Sequence, residues 1–321
     1  MPGAFARSSG SRIVQICVHR RLVNSLVVGG ANRRETLVAV EEMFVSRIVT
    51  PPHGFTDGIE GPACDADGML YAVNYERQHT IGRVEPDGAC SVFVELQDGS
   101  IGNGIVFDRA GRMFVADYTN HNVLLVDMAT RESSVWAHEP RMHQPNDLAI
   151  TSGGVLFASD PDWATSTGRL WRIGTDRRVT LLESGMGTTN GIEVSPDERT
   201  LYVNESVQRR VWGYDLTPEG WIGAKRLLIE FPDYGLDGMR CDVGGALYIA
   251  RHGKGVIAKL SPQGEMLSEV ELAGVLPTNV AFGGSDGRTC FVTLADRGNI
   301  ESFRTDLPGR SWALWQTADS R

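Results

Sequence analysis

One pattern recurs six times along this 321-residue chain, and it constrains the fold more than any other feature. Glu60-Gly61, Asn103-Gly104, Asn146-Asp147, Asn190-Gly191, Asp237-Gly238 and Asn279-Val280 are separated by 43, 43, 44, 47 and 42 residues. A turn and a β-rich triplet follow each marker: DADGMLYAV, DRAGRMFVA, TSGGVLFAS, SPDERTLYV, DVGGALYIA and GSDGRTCFV. Five copies place a glycine eight residues past the marker (Gly68, Gly111, Gly154, Gly245, Gly287), as a hairpin turn needing positive φ demands. The fourth copy has Glu198 there, in a proline-led turn one residue longer.

A third alternating run and a last apolar stretch complete each copy, as in TIGRVEPDG followed by CSVFVEL. Four short antiparallel strands per 40 to 45 residues is the period of a propeller blade. The expected fold is therefore all-β: a six-bladed β-propeller over residues 37–321, with no helical period of useful length. The run Val40 to Val49 has no blade of its own and is expected to add the missing outer strand of the sixth blade, closing the ring.

Residues 1–36 stand outside this repeat. Met1 to Arg34 hold six arginines and no acid, so the net charge of −9 hides a value of −15 for the remainder. The expectation for 1–36 is an extension, disordered or arising from an upstream start, because the segment has no continuous apolar core of a signal. The acidic body argues against nucleic acid and favours cations, and no apolar run reaches the length of a membrane span. Five scattered cysteines (Cys17, Cys64, Cys90, Cys241, Cys290) read as reduced packing residues, which points to a cytoplasmic protein. A monomer or weak dimer is expected.

The first strand of a propeller blade lines the central channel, so the six markers should converge on the axis. Asn-Gly and Asp-Gly are also ordinary turn formers, and for Asn103 and Asn279 that reading stands beside the functional one. Glutamate has no such preference, which makes Glu60 informative. Two like charges about 4 Å apart at an effective dielectric near 20 repel by roughly 4 kcal/mol. Glu60 and Asp237 must then either hold a proton strongly or share a cation. With amide oxygens from Asn146 and Asn190 and no His or Cys at any marker, a hard divalent ion suits the ring: Ca²⁺ ahead of Mg²⁺ or Mn²⁺, with Zn²⁺ also open.

These residues resemble a known group, the senescence marker protein (regucalcin), gluconolactonase and luciferin-regenerating-enzyme-like family of six-bladed propellers. The resemblance runs from about Ile59 to Phe303 and rests on the order and spacing of IEGP (Ile59 to Pro62), QPNDLAI (Gln144 to Ile150), TNGIEVSPD (Thr189 to Asp197), LDGMRCD (Leu236 to Asp242) and AFGGSDGRTCFVT (Ala281 to Thr293). It implies that Glu60, Asn146, Asn190 and Asp237 hold a catalytic divalent cation and that the substrate is a small-molecule sugar lactone. More distant members similar to diisopropyl-fluorophosphatase cleave phosphorus esters on a like ring. Animal members carry a substrate-touching arginine where this chain has Gln144. FASDPDW (Phe157 to Trp163) is similar to the FTDP segment of microbial gluconolactonases, which makes Asp160 a candidate near the site.

The chemistry expected is hydrolysis of a cyclic ester, with the cation polarising the carbonyl and a carboxylate taking a proton from water. Asp237 is the candidate base, Glu60 the second catalytic carboxylate, and Asn103 a candidate hydrogen-bond partner for substrate. A phosphotriesterase or arylesterase on the same ring, and a ligand-binding propeller without enzymatic activity, are the alternatives. Asp65 and Asp67 suggest a calcium loop, but Ala63 and Asn74 fill two of its ligand slots, so they read as a hairpin. His143 and His252 read as loop residues near the channel mouth. The seven tryptophans, Trp136, Trp171 and Trp212 among them, are expected in blade strands and read as packing between blades, and Arg209, Arg210 and Arg240 read as surface or rim charges.

Overall fold

The protein is described by a computed structural model covering residues 42–316, so the expectations for residues 1–36 and for Val40 lie outside the described residues. Six four-stranded antiparallel sheets follow one another along the chain. The innermost strands are Phe55–Cys64, Gly102–Phe107, Leu148–Ile150, Thr189–Val194, Met239–Cys241 and Pro277–Gly283. The sixth sheet takes its outer strand from Arg47–Ile48, which pairs with Asn299–Arg304 in the register Arg47 to Ser302 and Ile48 to Glu301. The ring is thus closed by an N-terminal strand, which leaves no unpaired sheet edge between first and last blades.

Alternation within the strands decides how blades stack. Tyr71, Val73 and Ile81 of blade one bury against Ile105, Val115 and Leu124 of blade two, and equivalent clusters fill the other blade interfaces. The cluster of Phe55, Ile59, Ala72 and Ile300 joins blade one to blade six. Fully burying one such aliphatic side chain contributes about 1.5–3 kcal/mol, so these interfaces are what hold the ring together.

The hairpin glycines behave as their spacing demands. Gly68 has φ +80° and Gly245 φ +85°, and Glu198 takes φ +56° in its longer turn. Asp65 belongs to this machinery: its Oδ1 accepts from the backbone N–H of Asp67 at 3.0 Å and of Met69 at 2.9 Å, which shapes the first hairpin of blade one.

The described residues also contain one helix, Arg310–Gln316, too short to show as a helical period, so the all-β expectation stands. It is tied on through Arg310, which donates to Ile150 O and Glu198 Oε1 at 2.9 Å each and stands 3.5 Å from Glu193 Oε1. One expectation needs correction: not all tryptophans sit in blade strands. Trp136, Trp171 and Trp212 do, but Trp312 and Trp315 lie on the helix, Trp221 precedes an outer strand, and Trp163 occupies a turn at one mouth of the channel. Cys64, Cys90, Cys241 and Cys290 form no disulfide; Cys17 lies outside the described residues. Among the described residues no helix is long and apolar enough to cross a membrane.

Candidate functional site

The inner strands are interrupted where the markers stand. Ladder pairing shifts between Glu60 and Ala63, Gly102 and Ile105, Thr189 and Ile192, and Pro277 and Val280. In blades three and five the strand starts only after Asn146 and Asp237. Such bulges re-aim side chains, and here they free the markers from alternating between sheet faces so that they turn to the axis.

The space at the axis also explains the glycine after the marker. Gly61 has φ +52°, and a Cβ there would stand 1.9 Å from the carbonyl oxygen of Asn103 in the next blade. A Cβ at Gly238 would meet the Asn279 side chain at the same 1.9 Å. The dipeptide is therefore a requirement of blade crowding at the axis more than a turn signal.

These strands enclose a cavity of about 280 Å³ at one end of the channel, lined by Glu60, Asn103, Asn146, Asn190 and Asp237 together with residues of the surrounding loops. Asn279 stands one layer out: its Nδ2 donates to Glu60 Oε2 at 3.0 Å, and Gly61 N–H donates to the same oxygen at 2.6 Å. Glu60 is 8% exposed. Burial, followed by the nearby Asp147 carboxylate, pushes its carboxyl up to about 7, against these two hydrogen bonds and the Arg240 charge. Burial and then the adjacent Glu60 push Asp237 well up too, although its side chain keeps 14% of its surface open.

The asparagines show what the arrangement lacks within the protein. Asn190 directs Nδ2 to Ser206 Oγ at 3.0 Å, and the Oδ1 atoms of Asn146 and Asn190 are buried with no hydrogen-bond partner. A buried polar atom without a partner costs roughly 1–3 kcal/mol. Two unpartnered carbonyl oxygens beside two carboxyls that resist sharing negative charge form an all-oxygen donor set of the kind hard divalent cations take. Among the described residues no three His, Cys, Asp or Glu side chains gather as a metal cluster, so the neutral amides are essential to this set.

Other expected site residues fall elsewhere. Asp160 does not line the cavity: its Oδ1 accepts from the backbone N–H of His143 and Gln144 at 2.7 Å each, and its Oδ2 from Trp171 Nε1 at 2.8 Å. It braces the loop leading to Asn146 and has no oxygen left for substrate. Gln144 likewise does not line the cavity. Arg240 is no rim charge. It is 6% exposed and grips Asp147 with both nitrogens, NH1 to Oδ2 at 2.7 Å and NH2 to Oδ1 at 2.9 Å, while NH1 also donates to Met239 O. Arg210, by contrast, pairs with Glu230 on the surface.

Residue reasoning passed over Tyr118 and Trp163 in the cavity wall, neither of which occupies a marker slot. His252 is closer to the chemistry than a loop position suggests, with Nδ1 3.4 Å from Asp237 Oδ2.

The profile of the SMP-30/Gluconolactonase/LRE-like region matches residues 59–296. The chain is 27% identical over 287 residues to a gluconolactonase of Zymomonas mobilis, covering 78% of this chain and 79% of that one. It is 31% identical over 241 residues to pentonolactonase XacC of Haloferax volcanii, covering 74% and 81%. Among solved structures, regucalcin from Agrobacterium tumefaciens, described as a calcium-binding protein, superposes with a TM-score of 0.69 at 21% identity, covering 82% of this chain and 97% of that one.

Proposed function

The chain belongs to the SMP-30/gluconolactonase/LRE-like family, and from that premise we propose that it is a divalent-cation-dependent hydrolase that opens a sugar lactone. Two relatives named as lactonases, each matched over about three quarters of this chain, support the substrate class. The observation that carries the cation dependence is the pair of buried, unpartnered Oδ1 atoms of Asn146 and Asn190 in the wall that also presents Glu60 and Asp237.

In this reading Glu60, Asn146, Asn190 and Asp237 hold the ion, and the absence of nitrogen or sulfur donors favours Ca²⁺ over Zn²⁺. When bound, the cation supplies Lewis-acid polarisation of the lactone carbonyl. Asp237 acts as general base, accepting a proton from the attacking water and returning it to the ring oxygen as the carbon–oxygen bond breaks. His252, beside Asp237 and 40% exposed, keeps that carboxylate oriented. Asn103 offers a hydrogen bond to the substrate. Asp160 acts indirectly, by holding the backbone of His143 and Gln144 in the loop before Asn146.

The test is a panel of aldonolactones assayed after chelation and after return of Ca²⁺, Mg²⁺, Mn²⁺ or Zn²⁺. Activity abolished by chelation and restored by an ion is the expected result. Full activity in the chelated protein would sink the proposal.

A further inference from the structure

The cavity wall carries information on which lactones it accepts. Three of its residues are acids, Asp57, Glu60 and Asp237, and none is a lysine, arginine or histidine. A divalent cation offsets two of those charges, which leaves the exposed Asp57 at the mouth. His252, outside the lining, has its Nδ1 3.3 Å from Pro277 O and 3.4 Å from Asp237 Oδ2. Beyond the cation, no side chain of the wall carries a positive charge to pair with an anionic substituent.

The same wall holds an aromatic surface. Trp163 lines the cavity and is 39% exposed. Its turn is fixed by Asp162, whose Oδ1 accepts from the backbone N–H of Ala164 at 3.1 Å and of Thr165 at 3.2 Å. Tyr118 lines the cavity with Trp163, and each offers an apolar ring with one polar group at its edge. A held aromatic face beside the amides of Asn74, Gln78 and Asn103 suits a ring whose faces are C–H and whose edge is hydroxyl.

We propose that Trp163 is the stacking platform for the sugar ring, and that the mouth selects uncharged sugar lactones over lactones bearing a phosphate, sulfonate or carboxylate. The inference rests on the lactonase reading and adds the substrate's charge and the residue that seats it. It also has a consequence for turnover, because opening a neutral lactone yields an aldonate anion, which this acidic mouth repels.

The experiment compares D-glucono-1,5-lactone with its 6-phosphate on the full, cation-loaded chain. The expected kcat/KM is at least about 50-fold higher for the neutral lactone, and Asp57→Lys narrows that ratio at least about 5-fold. Trp163→Ala raises KM for the neutral lactone about 10-fold with kcat within about threefold, and Trp163→Phe restores most of the loss. Equal kcat/KM for the two lactones, or an unchanged KM in Trp163→Ala, overturns the proposal.

Binding is read separately by tryptophan fluorescence with the stable neutral analogue D-glucono-1,5-lactam. Quenching that disappears in Trp163→Phe supports the platform even if no lactone is hydrolysed, a result that would defeat only the lactonase reading. Absence of any Trp163-dependent quenching overturns the platform whatever the activity.

Discussion

Asn279 of the last blade donates its side-chain amide to Glu60 of the first at 3.0 Å, across 219 positions of sequence. The bond holds one carboxyl oxygen of Glu60 at the axis. It depends on ring closure, so the candidate site and the global topology are one construction.

Glu60→Gln keeps the size of the side chain and removes its charge. We expect divalent-cation affinity to fall at least about 100-fold, with lactone hydrolysis falling in parallel and the thermal midpoint of the chelated protein holding or rising. Calorimetric titration with Ca²⁺ alongside a lactone assay checks this. Wild-type affinity in the variant would remove Glu60 from the site.

The raised carboxyl of Glu60 ties stability to pH. In the unfolded chain it loses its proton near 4.5, and in the chelated fold only near 7. The folded state therefore suffers no penalty below about pH 4.5, loses stability as pH rises from there to 7, and loses no more above it, by an amount on the order of a few kcal/mol. Ca²⁺ should raise the melting temperature more at pH 8 than at pH 5. Melting curves with chelator and with Ca²⁺ at both pH values decide it, and an equal rise at both would contradict it.

The Arg240–Asp147 pair is a buried ion pair with both guanidinium nitrogens engaged. Arg240→Met leaves the Asp147 charge uncompensated and should cost about 3–5 kcal/mol, whereas Arg240→Met with Asp147→Asn should recover much of that loss. Denaturant titrations of both variants measure the difference.

Gly61→Ala places a methyl group 1.9 Å from Asn103 O at φ +52°, while Gly99→Ala, at φ +74°, meets nothing within 4 Å. Both variants carry a backbone penalty of about 1 kcal/mol. Only Gly61→Ala should also lower cation affinity, because the neighbouring blade has to move. Stability and Ca²⁺ binding measured on the two variants separate strain from crowding.

Much of this was legible in the chain itself. The spacing from Glu60 to Asn279 specified six blades, the glycines at positions such as Gly68 and Gly245 specified their first hairpins, and the run ending at Val49 announced the closing strand, because strand period and turn chemistry are local properties. The gathering of Glu60, Asn103, Asn146, Asn190 and Asp237 at one cavity follows from equivalence under the repeat.

What the repeat could not express was decided in three dimensions. Whether a marker lines the cavity or supports a neighbour, as Asn279 does, depends on bulges in the inner strands, and those are set by contact between blades. Arg240 looked like a rim charge until the ring brought it to Asp147, 93 positions away, where each compensates the burial of the other. Asp160 looked like a site acid, yet it spends both oxygens on a loop and an indole. Trp163 looked like core, yet its turn carries it to the channel mouth. Local pattern states which residues can face the axis; charge compensation and crowding, which exist only once the ring closes, determine what each of them does there.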